Sequence, residues 1–481
     1  MRMGLTPSVW GLSPAQNTRR DFLNIENIGK DDSSKERVIM SVNPTIKNYG
    51  LLDRQLMDKE RWICFWALFF FGFMCSFSLF KASSVLPQIA ADLSIPAGDI
   101  GMVMTSFSIA GLILAYPAAW IMRTIGLKAS VMIAAVISIV GTLLGCVAPT
   151  AEIFMISRAI EGVAYGLFSV QGPNLLPRLF PTNKLGLVMG VWSLWMPVGS
   201  VCSFVITPLM YEAFGWHSAW WACAIAEILA TIGLLIFMKM SAVPENEIVD
   251  GDATKKRKPV KNHFFAAIMM QVAFTGWCFV YLSNINGLYP TFLQEVKGLS
   301  VFDASLLPTV LALITIALGT FAGILSDKLQ ARKSFAVIAY LVVAAVMFTV
   351  GFTDDPNDIV SPWITMVIIG MCGSVLPMAT RSIVPVLCPD PKKTDYALAT
   401  MAFTTCVAQV FGVVASQSVQ ALGWNGNAVF VLGPVAVVAA LIVLFCVTSD
   451  KKAIKSLREA EGKEVDPQIE EAIELSHDEA M

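Results

Sequence analysis

The chain is 481 residues long, 56% hydrophobic and only 15% charged. A water-soluble globular chain carries about 25% charged residues, so this composition excludes a soluble domain and points to lipid. The net charge of −2 is uninformative in itself, and three histidines in total (His217, His263, His477) leave metal chemistry little to work with.

Residues 1–60 are polar and lack a basic start followed by an apolar run, so they read as a cytoplasmic tail rather than a signal peptide. Met40 opens a stretch like an ordinary short tail, and residues 1–39 are either an extension or an over-long start. A helix needs about 20 apolar residues to cross the hydrocarbon core. Runs of that kind lie near 62–84, 100–121, 129–148, 152–176, 187–209 and 219–238. They resume near 263–286, 304–325, 334–353, 360–386, 396–418 and 428–448. The last two share one uncharged run, divided at 422–427, where glycine and asparagine favour a turn. The expected fold is therefore an all-α membrane protein with twelve transmembrane helices. Its divisions are a tail at 1–60, a six-helix bundle at 61–240, a central loop at 241–262, a second six-helix bundle at 263–448 and a tail at 449–481.

With the N-terminus placed in the cytoplasm, 30 of the 34 Lys and Arg fall on that side. Lys297 is in an outer loop, and Lys81, Arg158 and Arg381 sit within spans. That asymmetry follows the positive-inside rule and predicts a multi-pass protein of the cytoplasmic membrane with both termini inside. The ten cysteines lie nearly all in apolar runs and read as small core residues. No zinc spacing, phosphate loop or nucleophile elbow occurs, so no enzyme activity, cofactor, metal site or nucleic-acid partner is expected.

The two halves echo each other. Pro177 and Pro181 follow the fourth span as Pro385 and Pro389 follow the tenth, and Gly111 to Lys128 corresponds to Gly319 to Lys333. The second copy runs Gly319, Gly323, Asp327, Lys328, Arg332, Lys333: a glycine-rich helix end, an acid, then clustered bases. This resembles the cytoplasmic loop signature of the major facilitator superfamily. The first copy holds Arg123, Gly126 and Lys128 but carries Met122 where that family usually has Asp. Arg158 to Gly166 resembles the family's fourth-helix pattern, and Gly287 to Ser300 resembles its segment leaving helix seven. The resemblance covers residues 61–448. It implies two pseudo-symmetric bundles rocking about a midplane site, in a protein that works as a monomer. Gly162/Gly166, Gly186/Gly190 and Gly319/Gly323 have the small-xxx-small spacing of close helix packing. Arg123, Lys128, Asp327, Lys328, Arg332 and Lys333 are either topology charges or, by the resemblance, gating residues.

Charges within spans cost about 2.5–3.5 kcal/mol each on insertion scales, so Lys81, Arg158, Glu161, Glu227 and Arg381 need a reason. Lys81 lies six residues before Pro87, about 9 Å from the outer helix end. It is either a snorkelling anchor or a cavity cation. Arg158 and Glu161 form an i,i+3 pair on one face. The resemblance puts Lys81, Arg158, Glu161 and Arg381 on the cavity-lining helices one, four and ten, and Glu227 on the usually peripheral helix six, where it reads mainly as an inter-helix hydrogen-bonding group. Arg381, two turns from Pro389, either caps cytoplasmic carbonyls or meets substrate. Three bases against two acids leave a positive surplus, which suits an anion, and Arg holds a carboxylate bidentately. The expected substrate-binding residues are Lys81, Arg381, Asn284, Trp195 and Trp277, with Glu161, Arg158 and Glu227 coupling protons. Trp192, Trp195, Trp277, Tyr281 and Tyr289 either pack and anchor or widen the site for a large amphipathic acid such as a bile acid. Asn284 and Asn286 either bind substrate or break helix seven. The expected function is proton-coupled uptake of an organic anion. The alternatives are a drug-efflux antiporter, whose helix-five glycine is replaced by Met196 before Pro197, and a transport-dead membrane sensor.

Overall fold

The computed structural model describes residues 56–114, 117–180, 182–238, 263–329, 331–388 and 391–448, all in helices and short connections. Residues 1–55, the tail from 449 and the central loop expected at 241–262 lie outside these residues, and the first helix begins at Asp58, inside the tail expected at 1–60. The first six crossings are α1 (Asp58–Ser84), α2 (Met102–Leu114, with Pro117–Ile125 beyond it), α3 (Leu127–Cys146), α4 (Ala151–Leu179), α5 (Trp195–Phe214, preceded by Thr182–Trp192) and α6 (His217–Phe237). The second six are α7 (Phe264–Cys278, continued through Phe279–Leu288 and Tyr289–Glu295), α8 (Val301–Leu329), α9 (Arg332–Thr349), α10 (Val360–Leu387), α11 (Pro391–Val410, continued by Gly412–Asn427) and α12 (Gly433–Cys446, preceded by Ala428–Leu432).

Eleven described stretches are long and apolar enough to cross a membrane, and the last of them, Phe403–Cys446, is 44 residues long. At 1.5 Å per residue such a stretch reaches about 66 Å, twice a hydrocarbon core of about 30 Å. Gly423 resolves it: its φ of +76° reverses the chain inside that stretch, giving α11 and α12 and the expected twelve crossings. The turn falls within the expected segment 422–427.

Helix ends follow local chemistry. Asp58 and Glu60 place negative charge in the first turn of α1, where the helix dipole favours it, and the Glu60 carboxylate accepts the Met57 N–H at 3.1 Å. Thr150 caps α4 by accepting from the Ile153 N–H at 3.5 Å. α1 stops at Val85, and Pro87 starts the short helix Leu86–Asp92, where a missing N–H costs nothing.

Across the two halves, α5 packs on α8 and α2 on α11. The hydrogen bonds between halves gather at the end remote from the start of α1 and the finish of α12. Gln88 donates to Gln294 at 2.7 Å, and Gln294 donates to the Ser84 carbonyl at 3.0 Å. The Gly101 N–H donates to Ser416 at 3.2 Å, and Ser416 donates to the Gly98 carbonyl at 2.8 Å. Thr105 donates to the Val410 carbonyl at 3.1 Å, and Ser108 to Gln409 at 3.0 Å. Gly101 makes the approach possible: a Cβ there would collide with the Gly412 carbonyl. This far end is closed.

Of the glycine pairs, Gly162 and Gly166 pack α4 directly on the α2 backbone at Phe107 and Gly111. Gly190 and Gly319 face open space, which corrects the packing role expected of them.

Candidate functional site

Four of the five intramembrane charges form one buried cluster in the first bundle. Lys81 of α1 donates to Glu161 Oε1 of α4 at 2.6 Å, both side chains 0% exposed. Arg158 pairs with Glu161 Oε2 one turn away on α4. The same guanidinium donates to the Ser78 and Leu79 carbonyls of α1 at 2.7 and 3.1 Å. Thr142 of α3 donates to Glu161 Oε1 at 2.9 Å, so this carboxylate is held from three helices. Glu227, on α6, points into the same cluster and accepts from Ser138 of α3 at 2.9 Å. Cys223 lies between it and Lys81, its sulfur 3.7 Å from each. The Trp220 ring covers the Lys81 ammonium at 4.8 Å and the Phe107 ring covers Arg158 at 4.6 Å.

This arrangement revises three expectations. Lys81 does not snorkel: its ammonium is enclosed by Glu161, Cys223 and Trp220, so in this conformation it holds the bundle together instead of facing substrate. Helix six is not peripheral at Glu227: α6 turns this residue inward onto α3, where it makes the inter-helix hydrogen bond expected of it. The surplus of bases is not pooled in one pathway either. Two bases meet two acids in the cluster, and the third base stands apart.

That base is Arg381 on α10. Its side chain is exposed, and among the described residues it makes no hydrogen bond or ion pair. Its titratable neighbours are Tyr165 of α4 in the first bundle and Cys278 of α7 in the second, so it lies where the two bundles meet. Its expected role as a carbonyl cap is not what the structure shows. Tyr165 sits 5.4 Å from Phe107 and 6.1 Å from Trp195, ring centre to ring centre. Trp195 is half-buried and continues into Trp192 and Phe168 along the wall of the first bundle. Opposite, Trp277 stacks on Tyr281 at 4.8 Å; Trp277 is buried and Tyr281 half-buried, so the tyrosine is the more accessible of the two. Sequence reasoning placed Trp277 in the site and missed Tyr165, whose only signal was its position one turn beyond Glu161.

Asn284, expected to bind substrate, is fully buried at the far end. It donates to the Phe279 carbonyl at 3.0 Å, and Asn286 donates to the Tyr281 carbonyl at 3.0 Å, each five residues back. These bonds support a π-type widening of α7 across Phe279–Leu288, so at both asparagines the helix is widened and not broken, which corrects the helix-breaking alternative. Of the gating residues, Lys128, Arg332 and Lys333 are half-buried. The side chains of Arg123, Asp327 and Lys328 lie outside the described ones.

The model of the Major Facilitator Superfamily matches residues 68–412. The chain is 24% identical over 441 residues to the galactose-proton symporter of Escherichia coli (strain K12), covering 81% of this chain and 91% of that one. It is 23% identical over 294 residues to the probable nitrate transporter NarT of Staphylococcus carnosus (strain TM300), covering 60% of this chain and 72% of that one. Its fold is similar to the crystal structure of a D-xylose-proton symporter, with a TM-score of 0.66 at 16% identity over 81% of this chain and 98% of that one. Twelve crossings in two related bundles and a family match over most of its length agree: this chain belongs to the Major Facilitator Superfamily.

Proposed function

We propose that the protein takes up an organic anion together with protons, by alternating access, as a monomer in the cytoplasmic membrane with both termini inside. One observation carries the anion: Arg381, with neighbours on α4 of one bundle and α7 of the other, is exposed and has no hydrogen-bond or ion-pair partner among the described residues. A free guanidinium in a low-dielectric site is a carboxylate anchor, because two parallel N–H donors match two carboxylate oxygens. Half-buried Trp195 and Tyr281 supply apolar faces on either side, which favours an aromatic or large amphipathic acid over a small hydrophilic one.

Proton coupling falls to the cluster of Lys81, Arg158, Glu161 and Glu227, which has two carboxylates for two bases and so can change its charge by one. The similarity to named proton symporters supports the coupling, and the similarity to a probable nitrate transporter supports an anionic cargo. With both termini inside, the closed far end is the outer one, and the conformation faces inward. On this reading the loop charges Arg123, Lys128, Asp327, Lys328, Arg332 and Lys333 act at the inner gate.

The test is a thermal-shift screen of the purified protein with benzoate, cholate and a lipophilic cation, each beside the Arg381→Ala variant. A ligand at 100 times its Kd stabilises by about 2.7 kcal/mol. The expected result is stabilisation by a carboxylate that the variant loses. Stabilisation by the cation alone replaces the anion reading with drug efflux.

A further inference from the structure

Glu227 is the anomaly in the cluster. Its side chain is 0% exposed, and Ser138 satisfies Oε1, but Oε2 is buried with no donor among the described residues, since the hydroxyl of neighbouring Thr142 gives its hydrogen to Glu161. Glu161 is the opposite case, with Lys81, Arg158 and Thr142 on its two oxygens. An ionised oxygen buried without a donor is one of the costliest groups a protein can hold, whereas a carboxyl carrying its proton on that oxygen is neutral.

The groups around Glu227 are all in view. Lys81 and Cys75 face it from α1, Cys146, Ser138 and Thr142 from α3, Arg158 and Glu161 from α4, and Cys223 from its own helix. Of these only Lys81 is both positively charged and able to change partner. Arg158 is tied to two carbonyls of α1 as well as to Glu161. Lys81 ends a flexible stem, and its second contact is Cys223, which itself touches Glu227. If Lys81 turns away from Glu161, that carboxylate keeps Arg158 and Thr142.

We propose that Glu227 is the group that takes up and releases the coupled proton, and that Lys81 moves from Glu161 toward Glu227 when the proton leaves. On release the O–H bond at Oε2 breaks, the proton passes to water and the bonding pair stays on the carboxylate. Lys81 then neutralises the new charge. This rests on the symport reading above and assigns its proton site. It also supplies the sign of the coupling. With Glu227 protonated the cluster holds two bases against one ionised acid, a surplus of one positive charge; with Glu227 ionised it is neutral. The proton-loaded state therefore favours a nearby anion, and by linkage the anion favours the proton. The route between the two sites is short, since Glu161 and Tyr165 are one helical turn apart on α4, about 6 Å, and Tyr165 neighbours Arg381.

The experiment is an infrared pH titration of the purified protein, following the carbonyl stretch of a protonated carboxylic acid, paired with proteoliposome uptake of benzoate and cholate under an imposed proton gradient. Wild type should show a band that disappears as pH rises. Glu227→Gln should lose that band, Glu161→Gln should keep it, and Glu227→Asp should keep it at a shifted position, which covers the case where the glutamine variant does not fold. Glu227→Gln should also lose the acceleration of uptake by an inward proton gradient. No titrating band in wild type, or a band that survives in Glu227→Gln and vanishes in Glu161→Gln, overturns the assignment. If the band behaves as expected but neither carboxylate responds to the gradient in wild type, the proton site stands and the anion-symport reading fails.

Discussion

Lys81 and Glu161, 80 residues apart in the chain, meet at 2.6 Å with both side chains fully buried. Removing one member of a buried pair costs about 3–5 kcal/mol because the other charge is left without a partner. The two members are not equivalent here. Glu161→Ala strands both Lys81 and Arg158, whereas Lys81→Met leaves Glu161 with Arg158 and Thr142. The expected outcome is a loss near the upper part of that range for Glu161→Ala and a clearly smaller one for Lys81→Met. Thermal unfolding in detergent reads the difference, and equal losses would contradict the shared-carboxylate geometry.

Arg381 should behave in the reverse way. It makes no hydrogen bond or ion pair among the described residues, so Arg381→Ala is expected to leave the unfolding temperature of the ligand-free protein nearly unchanged. A charge-assisted hydrogen bond is worth about 1.5–3 kcal/mol, so carboxylate affinity should fall by about 10–150-fold. Arg381→Lys keeps the charge and loses the fork, and should land between the two. Ligand-titrated thermal shifts measure all three proteins.

Asn427 donates to Asn284 at 3.1 Å and accepts from Ser418 at 2.6 Å, tying the widened turn of α7 to the one that begins at Ala428 before α12. Asn427→Ala leaves Asn284 Oδ1 buried without its donor, at a cost of about 1–3 kcal/mol. Adding Asn284→Ala should cost less than the sum of the two single changes, because the two side chains share one bond. A double-mutant cycle on unfolding midpoints decides this.

The closed far end depends on backbone contact at Gly101. Gly101→Val is expected to prise α2 from α11 and shift the population toward the state open at that end. The readout is labelling of a cysteine placed at Gln294 by a membrane-impermeant maleimide, which should be faster in the Gly101→Val background. An unchanged rate would mean that the contact does not hold the far end shut.

Asp358, in the loop before α10, accepts from Ser361 and from the Thr353 hydroxyl at 2.8 Å, and these bonds pull its carboxyl down to about 2. A folded value below the ordinary one of 3.8 means that the stabilisation is present above the ordinary value and is lost as pH falls through about 2. The loop at 353–361 should therefore keep its hydrogen-exchange protection through mildly acidic pH. Asp358→Asn should lose part of that protection already at neutral pH.

The twelve crossings, the turn at Gly423 and the family were legible in the residues, because a bilayer imposes a length of apolar chain that composition alone reveals. The i,i+3 pair of Arg158 and Glu161 was legible for a similar reason, since helical spacing is local. Partners across helices were not. Nothing in the chain tells which way α6 is rotated, so the sequence points to an inter-helix hydrogen bond for Glu227 without naming Ser138 as its partner. The same spacing that buries Gly162 and Gly166 against α2 leaves Gly190 and Gly319 in open space, because a small residue permits close approach without requiring it. Lys81 and Arg381 were alike as sequence, two isolated cations in apolar runs. Only the rotation and neighbours of α1 and α10 made one a buried partner of Glu161 and left the other exposed beside Tyr165 and Cys278, since long-range contacts, unlike hydropathy, have no signature in a single chain.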